Sequence, residues 1–235
     1  GYSGSILPLA GMPTRVNNSL VYLTPNFYGF TGHLTYTTGS ENNVVSDTVV
    51  SGTTKTNDKA GQGYDLALFY KNGAFNAAAT GWNIYNASFE SAGETGLARK
   101  TGWQVAANYD LGVVKFHGTV VGGKISGGNY ENVTKSLSKS SGWSVSAAVP
   151  IGSHRIYSSY TRFNDRSTLN RDARLFGLGY SYDLYLNTKL YASWGKMLNN
   201  QNAKYSLADG GNLVGNVITT GFDPEGYMAG LNYSF

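Results

Sequence analysis

The chain of 235 residues contains no cysteine, and only 14% of its residues are charged. An ordinary globular domain has roughly 25% charged residues, so this composition favours a less aqueous environment. The absence of cysteine excludes disulfides, which fits an oxidising periplasm but also fits many other proteins. No apolar run approaches the ~20 residues that a membrane helix requires. These absences exclude helical spans, but they leave open a chain that hides apolar residues at every second position.

What the sequence does contain is apolar alternation, together with 31 glycines and 18 tyrosines. Between residues 143 and 149, for example, Trp143, Val145 and Val149 alternate with Ser144 and Ser146. A period of two is the signature of a β-strand with two unlike faces. The pattern predicts an all-β protein with eleven long strands. These predicted strands cover residues 15–24, 28–38, 62–72, 74–88, 99–110, 112–124, 141–150, 153–164, 172–183, 188–198 and 225–235.

The last predicted strand supports a bilayer environment. Tyr227, Leu231, Tyr233 and Phe235 share one face, so the strand ends on an aromatic ring. A terminal strand of a soluble protein is usually frayed. In a barrel that spans lipid, the closing strand must be sealed into the sheet, because lipid tolerates no open edge. The pattern therefore indicates an antiparallel transmembrane β-barrel.

The connections between predicted strands fall into two classes that alternate strictly. Short turns lie at residues 25–27, 72–73, 110–112, 150–152 and 184–187. Long polar segments lie between them, at residues 39–61, 89–98, 125–140, 165–171 and 199–224. Outer-membrane barrels have short periplasmic turns and long external loops, so this order indicates two different sides of a membrane. Aromatic residues such as Tyr109 and Tyr180 lie beside the short turns, where rings prefer the headgroup level. An aromatic-rich soluble β-sandwich is the alternative, but it has no reason to keep this order of loops.

Three segments carry a family resemblance. They are Arg15-Val-Asn-Asn-Ser continuing to Pro25-Asn-Phe-Tyr-Gly-Phe30, Gly177-Leu-Gly-Tyr180 continuing to Trp194-Gly-Lys196, and Gly221-Phe-Asp-Pro224 continuing to Phe235. Together they resemble the general trimeric porins of Gram-negative bacteria, particularly those of β-proteobacteria. One departure is Tyr185-Leu186-Asn187, where the family usually carries Ser-Lys-Arg, so two basic residues are missing from that turn.

The resemblance implies a porin-like barrel of sixteen strands, a homotrimer, and a place in the outer membrane beside lipid and lipopolysaccharide. It also implies one domain over residues 1–235, in which residues 1–14 are the tail of the inward-folded third loop and residues 15–235 form eleven strands. Single-chain bacterial barrels have even strand numbers, because both termini lie on the periplasmic side. We therefore expect five further strands before residue 1. A complete small barrel with an irregular closure is the alternative.

Strand parity predicts which charged residues face a water-filled interior. An Arg or Lys in the middle of the bilayer costs ~2–4 kcal/mol, so charges belong on the face opposite the apolar one. On that face, basic residues outnumber the acidic Asp65, Asp110 and Asp183, and a surplus of positive charge concentrates anions. Local ion pairing of these side chains is the alternative. The pore-lining candidates are Arg15, His33, Lys100, Lys115, His117, Arg155 and Lys189.

No segment of the sequence predicts a catalytic or metal-binding constellation. The histidines at 33, 117 and 154 lack metal-ligand spacing, and His154 falls on the lipid side near a short turn. Gly122-Gly123 is not followed by a helix, as a phosphate loop would require. The net charge of +4 is spread without a continuous basic patch, so nucleic acid is not an expected partner. We therefore predict neither an enzyme nor a cofactor.

Four arginines near the long-loop end of one predicted hairpin are candidates for contact with lipopolysaccharide phosphates, and simple solvation is the alternative. They are Arg162, Arg166, Arg171 and Arg174. Taken together, the patterns and the resemblance predict a passive outer-membrane channel for small hydrophilic solutes or ions, and the surplus of inward positive charge favours anions. A barrel-type adhesin or structural protein with binding loops is the alternative function.

Overall fold

A computed structural model describes residues 18–39, 49–50, 53–54, 61–91, 94–126, 139–185, 187–209, 212–213 and 219–234. This part of the chain consists of strands, turns and irregular segments, which confirms the predicted all-β class. It contains no helix long and apolar enough to cross a membrane.

Eleven strands form one antiparallel sheet, and each pairs with the strands that precede and follow it in that series. The number and order of the strands confirm the sequence-based prediction. Two hairpins of two-residue strands, Val49–Val50 with Thr53–Thr54 and Ala208–Asp209 with Asn212–Leu213, lie within long connections. The strands of the large sheet are Ser19–Leu23, Phe30–Thr38, Gln62–Asn72, Phe75–Ser91, Glu94–Asp110, Lys115–Ser126, Lys139–Ile151, His154–Asp165, Ala173–Tyr185, Thr188–Asn199 and Glu225–Tyr233.

The bounds differ most from expectation at the predicted loop 89–98. Its residues belong almost entirely to the strands Phe75–Ser91 and Glu94–Asp110, which remain paired out to Ser91 and Glu94. The prediction of a long polar loop there is wrong, because backbone hydrogen bonds between antiparallel strands do not require apolar side chains. The register shifts between Tyr85 and Ser88, so the outer part of this hairpin continues beyond an irregularity.

Local hydrogen bonds fix the short turns. After Asp110, the backbone N–H of Gly112 donates to the Asp110 carboxylate at 2.9 Å, and Gly112 has a φ of 79°. In the first turn, the N–H of Gly29 donates to the side-chain oxygen of Asn26 at 2.9 Å, with a φ of 92° at Gly29. Glycine adopts this left-handed conformation without steric cost. These residues therefore reverse the chain tightly at one end of the sheet.

The strand register gives the sheet two chemically different faces. One, called the polar face below, carries alternate residues of each strand, such as His117 and the Ser146 opposite it. The other, the apolar face, carries their neighbours, such as Leu66, Phe116 and Val145, whose exposed fractions are 59%, 50% and 49%. A soluble sheet buries its apolar face against a second layer. This one leaves it exposed, as a sheet solvated by lipid does.

Burial is therefore reversed relative to a soluble sheet. The largest fully buried side chains, Phe163, Leu175, Met197 and Val121, all lie on the polar face. They are near the ends of their strands that lead into the long connections. The most compact group consists of Ala173, Leu175, Met197 and Leu207, and Tyr205 and Met228 pack against it.

The strands Ser19–Leu23 and Glu225–Tyr233 are the two edges of the sheet. Within the described residues, the first pairs only with Phe30–Thr38 and the last only with Thr188–Asn199. Tyr233 lies on the apolar face and is 59% exposed, while Asn232 lies opposite Lys189 on the polar face. Residues 1–17, Arg15 among them, and Phe235 lie outside the described residues. The sixteen-stranded barrel and the assignment of residues 1–14 to a third loop stay predictions.

Candidate functional site

The polar face carries two ion pairs at its short-turn end. Lys115 Nζ lies 3.3 Å from the Asp110 carboxylate, and Lys189 Nζ lies 3.3 Å from that of Asp183. Each lysine is directly opposite its partner across a short turn, so the strand register creates the contact. All four side chains are between 41% and 52% exposed, and exposed pairs of this kind contribute only ~0.2–1 kcal/mol. These two ion pairs therefore affect the local charge of the polar face more than the stability of the fold.

Three other basic residues of the polar face, Lys71, Lys100 and Arg155, have no acidic partner within 4 Å among the described residues. Lys71 lies opposite Asn76, beside a short turn. Arg155 lies opposite Pro150 and Ser181, one strand away from the Asp183–Lys189 pair. Lys100 lies opposite Ile84 and Ile125, nearer the long-loop end. Because both lysines in the ion pairs are balanced locally, Arg155, Lys100 and Lys71 carry the unpaired positive charge of the described strands on this face.

Small polar side chains fill the middle of the same face. His117 lies opposite Asn108 and Ser146, and the Asn76 amide donates to the Asn108 side-chain oxygen at 3.1 Å. Asn108, His117 and Ser146, together with residues of the next strands, line a cavity of about 670 Å³ that also reaches both lysines of the ion pairs. Its lining combines hydroxyl, amide and charged side chains of the polar face with apolar residues such as Leu178 and Trp194.

A second cavity of about 400 Å³ lies nearer the first edge of the sheet. His33 Nε2 is 3.0 Å from the Thr35 hydroxyl, and the Thr80 hydroxyl donates to Asp65 at 3.5 Å. Trp82 borders the same space and is only 4% exposed, because its ring lies against Gly102 on the neighbouring strand. Sequence reasoning assigned Trp82 to no face, although its parity with Thr80 could have placed it on the polar one.

The apolar face carries a belt of rings at its short-turn end. Phe30, Tyr70, Phe75 and Tyr109 follow one another across four strands, with ring centroids 4.4, 6.2 and 6.4 Å apart. Aromatic side chains with an apolar body and a wet edge prefer the membrane–water interface. Their position therefore marks a headgroup level on the side of the short turns, as the sequence indicated.

The sequence matches the family model of the Gram-negative porins over residues 1–203. The chain belongs to the Gram-negative porin family. This membership agrees with the resemblance drawn from the three sequence segments, and it places the chain in the outer membrane. Among curated proteins, none matches the chain in sequence.

Solved structures similar to this porin are outer-membrane proteins. The anion-selective porin from Comamonas acidovorans superposes with a TM-score of 0.74 at 20% identity, over 94% of this chain and 60% of that one. OmpT of Vibrio cholerae gives 0.65 at 14% identity, over 99% and 70%. OmpF of Salmonella typhi, solved in complex with daunomycin, gives 0.58 at 14% identity, over 91% and 61%. At these identities the likeness shows the fold, and the chain spans about three fifths of the Comamonas porin.

The four arginines singled out in this porin do not share one surface. Arg162 and Arg174 lie directly opposite each other on the apolar face, and Arg162 also lies opposite Trp143. Arg166 is exposed in the following loop. Arg171 instead lies 3.4 Å from Asp165, whose side chain is fully buried. Only the first three are therefore open to a ligand outside the sheet.

His154 lies on the apolar face of the porin, at the short-turn end. Its ring stacks on Tyr182 with centroids 4.7 Å apart, and its Nδ1 is 2.7 Å from the Tyr180 hydroxyl. Within the described ranges, no group of three His, Asp or Glu side chains is close enough to hold a metal ion. The polar face is thus a lining of scattered charges and hydroxyls.

Proposed function

We propose that this porin is a passive, water-filled channel for small hydrophilic solutes and ions. The observation that carries the proposal is the division of one sheet into two faces. His33, Asp65, Lys100, His117 and Arg155 all lie on the polar face, while half-exposed aliphatic and aromatic side chains occupy the other. Charges are costly in hydrocarbon and cheap beside water, so the polar face lines the aqueous path. Transport through it needs no cofactor and no chemical step.

We further propose that the channel prefers anions. Five bases of the described strands lie on the polar face, Lys71, Lys100, Lys115, Arg155 and Lys189, against the acids Asp65, Asp110 and Asp183. A further acid of this face, Asp165, is buried and pairs with Arg171. Two of the bases are neutralised by ion pairs, which leaves the guanidinium of Arg155 and the ammonium groups of Lys100 and Lys71 as the sources of positive potential. A related fold occurs in the porin that is described as anion-selective. A positive lining raises the local concentration of anions.

Two partners complete the proposal. The family resemblance favours a homotrimer, in which part of the apolar face meets neighbouring subunits and part meets lipid. The exposed Arg162, Arg166 and Arg174 are candidates for contact with lipopolysaccharide phosphates, since guanidinium groups bind phosphate oxygens through paired hydrogen bonds. Arg171 is the weakest of the original four candidates, because Asp165 occupies it.

The competing function is a barrel-type adhesin that acts through its long loops. Conductance separates the two, because an adhesin filled by side chains stays closed to ions. The full-length protein in planar bilayers should open stable channels. In a salt gradient, the sign of the reversal potential should show that anions permeate better than cations. A protein that inserts without conducting would contradict the channel function.

Charge reversal at Arg155 tests the proposed ion preference. Arg155→Glu should move the reversal potential toward cation preference, because it replaces an unpaired positive charge on the polar face with a negative one. The matched control is Lys124→Glu, an equal charge reversal at an exposed position on the apolar side of the strand Lys115–Ser126. Equal potentials for the unaltered protein and Arg155→Glu would remove Arg155 from the permeation path without contradicting the channel itself.

A further inference from the structure

The start of the last long connection returns onto the polar face. After the strand Thr188–Asn199 ends, Ala203 is completely buried, and Leu207 is 3% exposed. Leu207 packs against Leu175 and Met197, which project from the polar face. The segment therefore covers the inside of the sheet at the long-loop end, instead of leading directly away from it.

Tyr205 is the main anchor of this segment. Its ring meets Phe163 edge-on with centroids 5.4 Å apart, and its hydroxyl donates to the backbone oxygen of Arg171 at 3.2 Å. Burial raises the pKa of the Tyr205 phenol, so the hydroxyl stays protonated and keeps its role as donor. Phe163 and Arg171 are both more than thirty positions from Tyr205 in the sequence, so these contacts hold a distant segment against the polar face of the sheet.

Asparagine side chains fix the two ends of the segment. The Asn199 amide accepts the N–H of Tyr205 at 3.1 Å and donates to the Tyr205 carbonyl at 3.0 Å. The Asn200 amide donates to the Asn170 carbonyl at 2.7 Å, so residues 200–207 are tied to the preceding loop, 166–172. That loop is itself held by Asp165, which accepts the N–H groups of Ser167 at 2.9 Å and Arg171 at 3.0 Å.

We infer that residues 200–207 and 166–172 together form a fixed inner wall at the external mouth of the channel, which narrows the mouth and limits its conductance. The inference rests on the proposed channel function. It follows from three features: an apolar patch on a face that otherwise meets water, a segment whose side chains bury that patch, and hydrogen bonds that tie two successive loops. A segment held in this way stays in place while solutes pass beside it.

Thiol accessibility tests whether the wall is in place. Because the chain has no cysteine, one introduced thiol reports on one position. In membranes, a charged methanethiosulfonate should modify Lys204→Cys, at an exposed position, more than about tenfold faster than Leu207→Cys, since a local opening of only ~1.4 kcal/mol already slows a reaction tenfold. Adding Tyr205→Ala should make Leu207→Cys react faster. Equal rates for the two thiols in the otherwise unaltered protein would overturn the wall.

Single-channel conductance tests the effect on permeation. Tyr205→Ala should raise the conductance above that of the unaltered protein, and Tyr205→Phe, which keeps the ring contact with Phe163, should raise it less. Tyr36→Ala is the matched control, because Tyr36 lies 49% exposed on the apolar face, and its conductance should not change. If Tyr205→Ala makes the Leu207→Cys thiol react faster but does not raise the conductance, the inference that the wall narrows the mouth is wrong.

The two levels of failure are distinguishable. If the unaltered protein conducts no ions, the proposed channel function fails, and the role of the wall fails with it. Protection of the Leu207→Cys thiol would then remain only a property of the fold. If the unaltered protein conducts and Tyr205→Ala has the same conductance, the channel function stands and the inference about the wall is wrong.

Discussion

Replacing Val145 with lysine would place an ammonium on the apolar face at the centre of the strand Lys139–Ile151. Val145 is 49% exposed, and its cross-strand neighbours Tyr160 and Gly118 offer no acidic partner. A lysine that faces lipid at the bilayer midplane destabilises an outer-membrane barrel by ~2–4 kcal/mol. The ratio of folded to unfolded protein should therefore fall by about 30-fold to about 900-fold.

The adjacent residue supplies the control. Ser146 lies at the same depth but on the polar face, opposite His117 and Ser159, and it borders the cavity of about 670 Å³. Ser146→Lys adds the same charge and the same side chain to a space that we assign to water. Its effect on stability should stay within about 0.5 kcal/mol, the usual range for substitutions at solvated positions.

Both variants can be measured by reversible denaturation of the full-length protein in lipid vesicles. Tryptophan fluorescence reports the transition, because the chain has four tryptophans. The expected result is a lower denaturation midpoint for Val145→Lys at an unchanged slope, with Ser146→Lys near the unaltered protein. Equal destabilisation by the two lysines, or a greater loss for Ser146→Lys, would refute the assignment of the two faces.

Two further substitutions test contacts on the polar face. Gly102→Ala should destabilise the fold by ~1–3 kcal/mol and shift the tryptophan emission, because its methyl group would collide with the Trp82 ring, whereas Gly118→Ala, with open space around it, should change little. If thermal unfolding gave the same stability for Gly102→Ala and Gly118→Ala, the close packing of Trp82 on Gly102 would be contradicted. Asp165→Ala should cost ~1–3 kcal/mol, because it removes the buried acceptor of the backbone N–H groups of Ser167 and Arg171, and proteases should then cut the loop 166–172 faster. Unchanged cleavage would show that Asp165 does not hold this loop.

Much of the fold was predictable because strand parity is a local property. The alternation around Val145 and Ser146 is visible in the sequence and is enough to divide one strand into two faces. Short turns could be read in the same way, since Asp110 and Gly112 fix theirs within three residues. The ion pair of Lys115 with Asp110 then follows from the turn, because the register places them opposite each other.

Other features depended on partners far away in the sequence. The strands Phe75–Ser91 and Glu94–Asp110 extend into a segment whose composition indicates a loop, since pairing with a neighbour compensates for weak local preference. Arg171 has the same exposed-arginine pattern as Arg162 in the sequence, and only the loop conformation brings it to Asp165. These differences arise from backbone pairing and burial, neither of which a local pattern records.

The all-β class, the strand order, the two faces and the side on which the charges of Lys115 and Arg155 lie are encoded locally, because a period of two fixes side-chain direction along every strand. The return of Tyr205 and Leu207 to cover Leu175 is visible only in the folded chain. That arrangement depends on contacts across more than thirty residues, including the hydrogen bond from Tyr205 to Arg171. Loop residues have no repeating pattern to direct them, so their position is set by what the folded sheet offers them to bury.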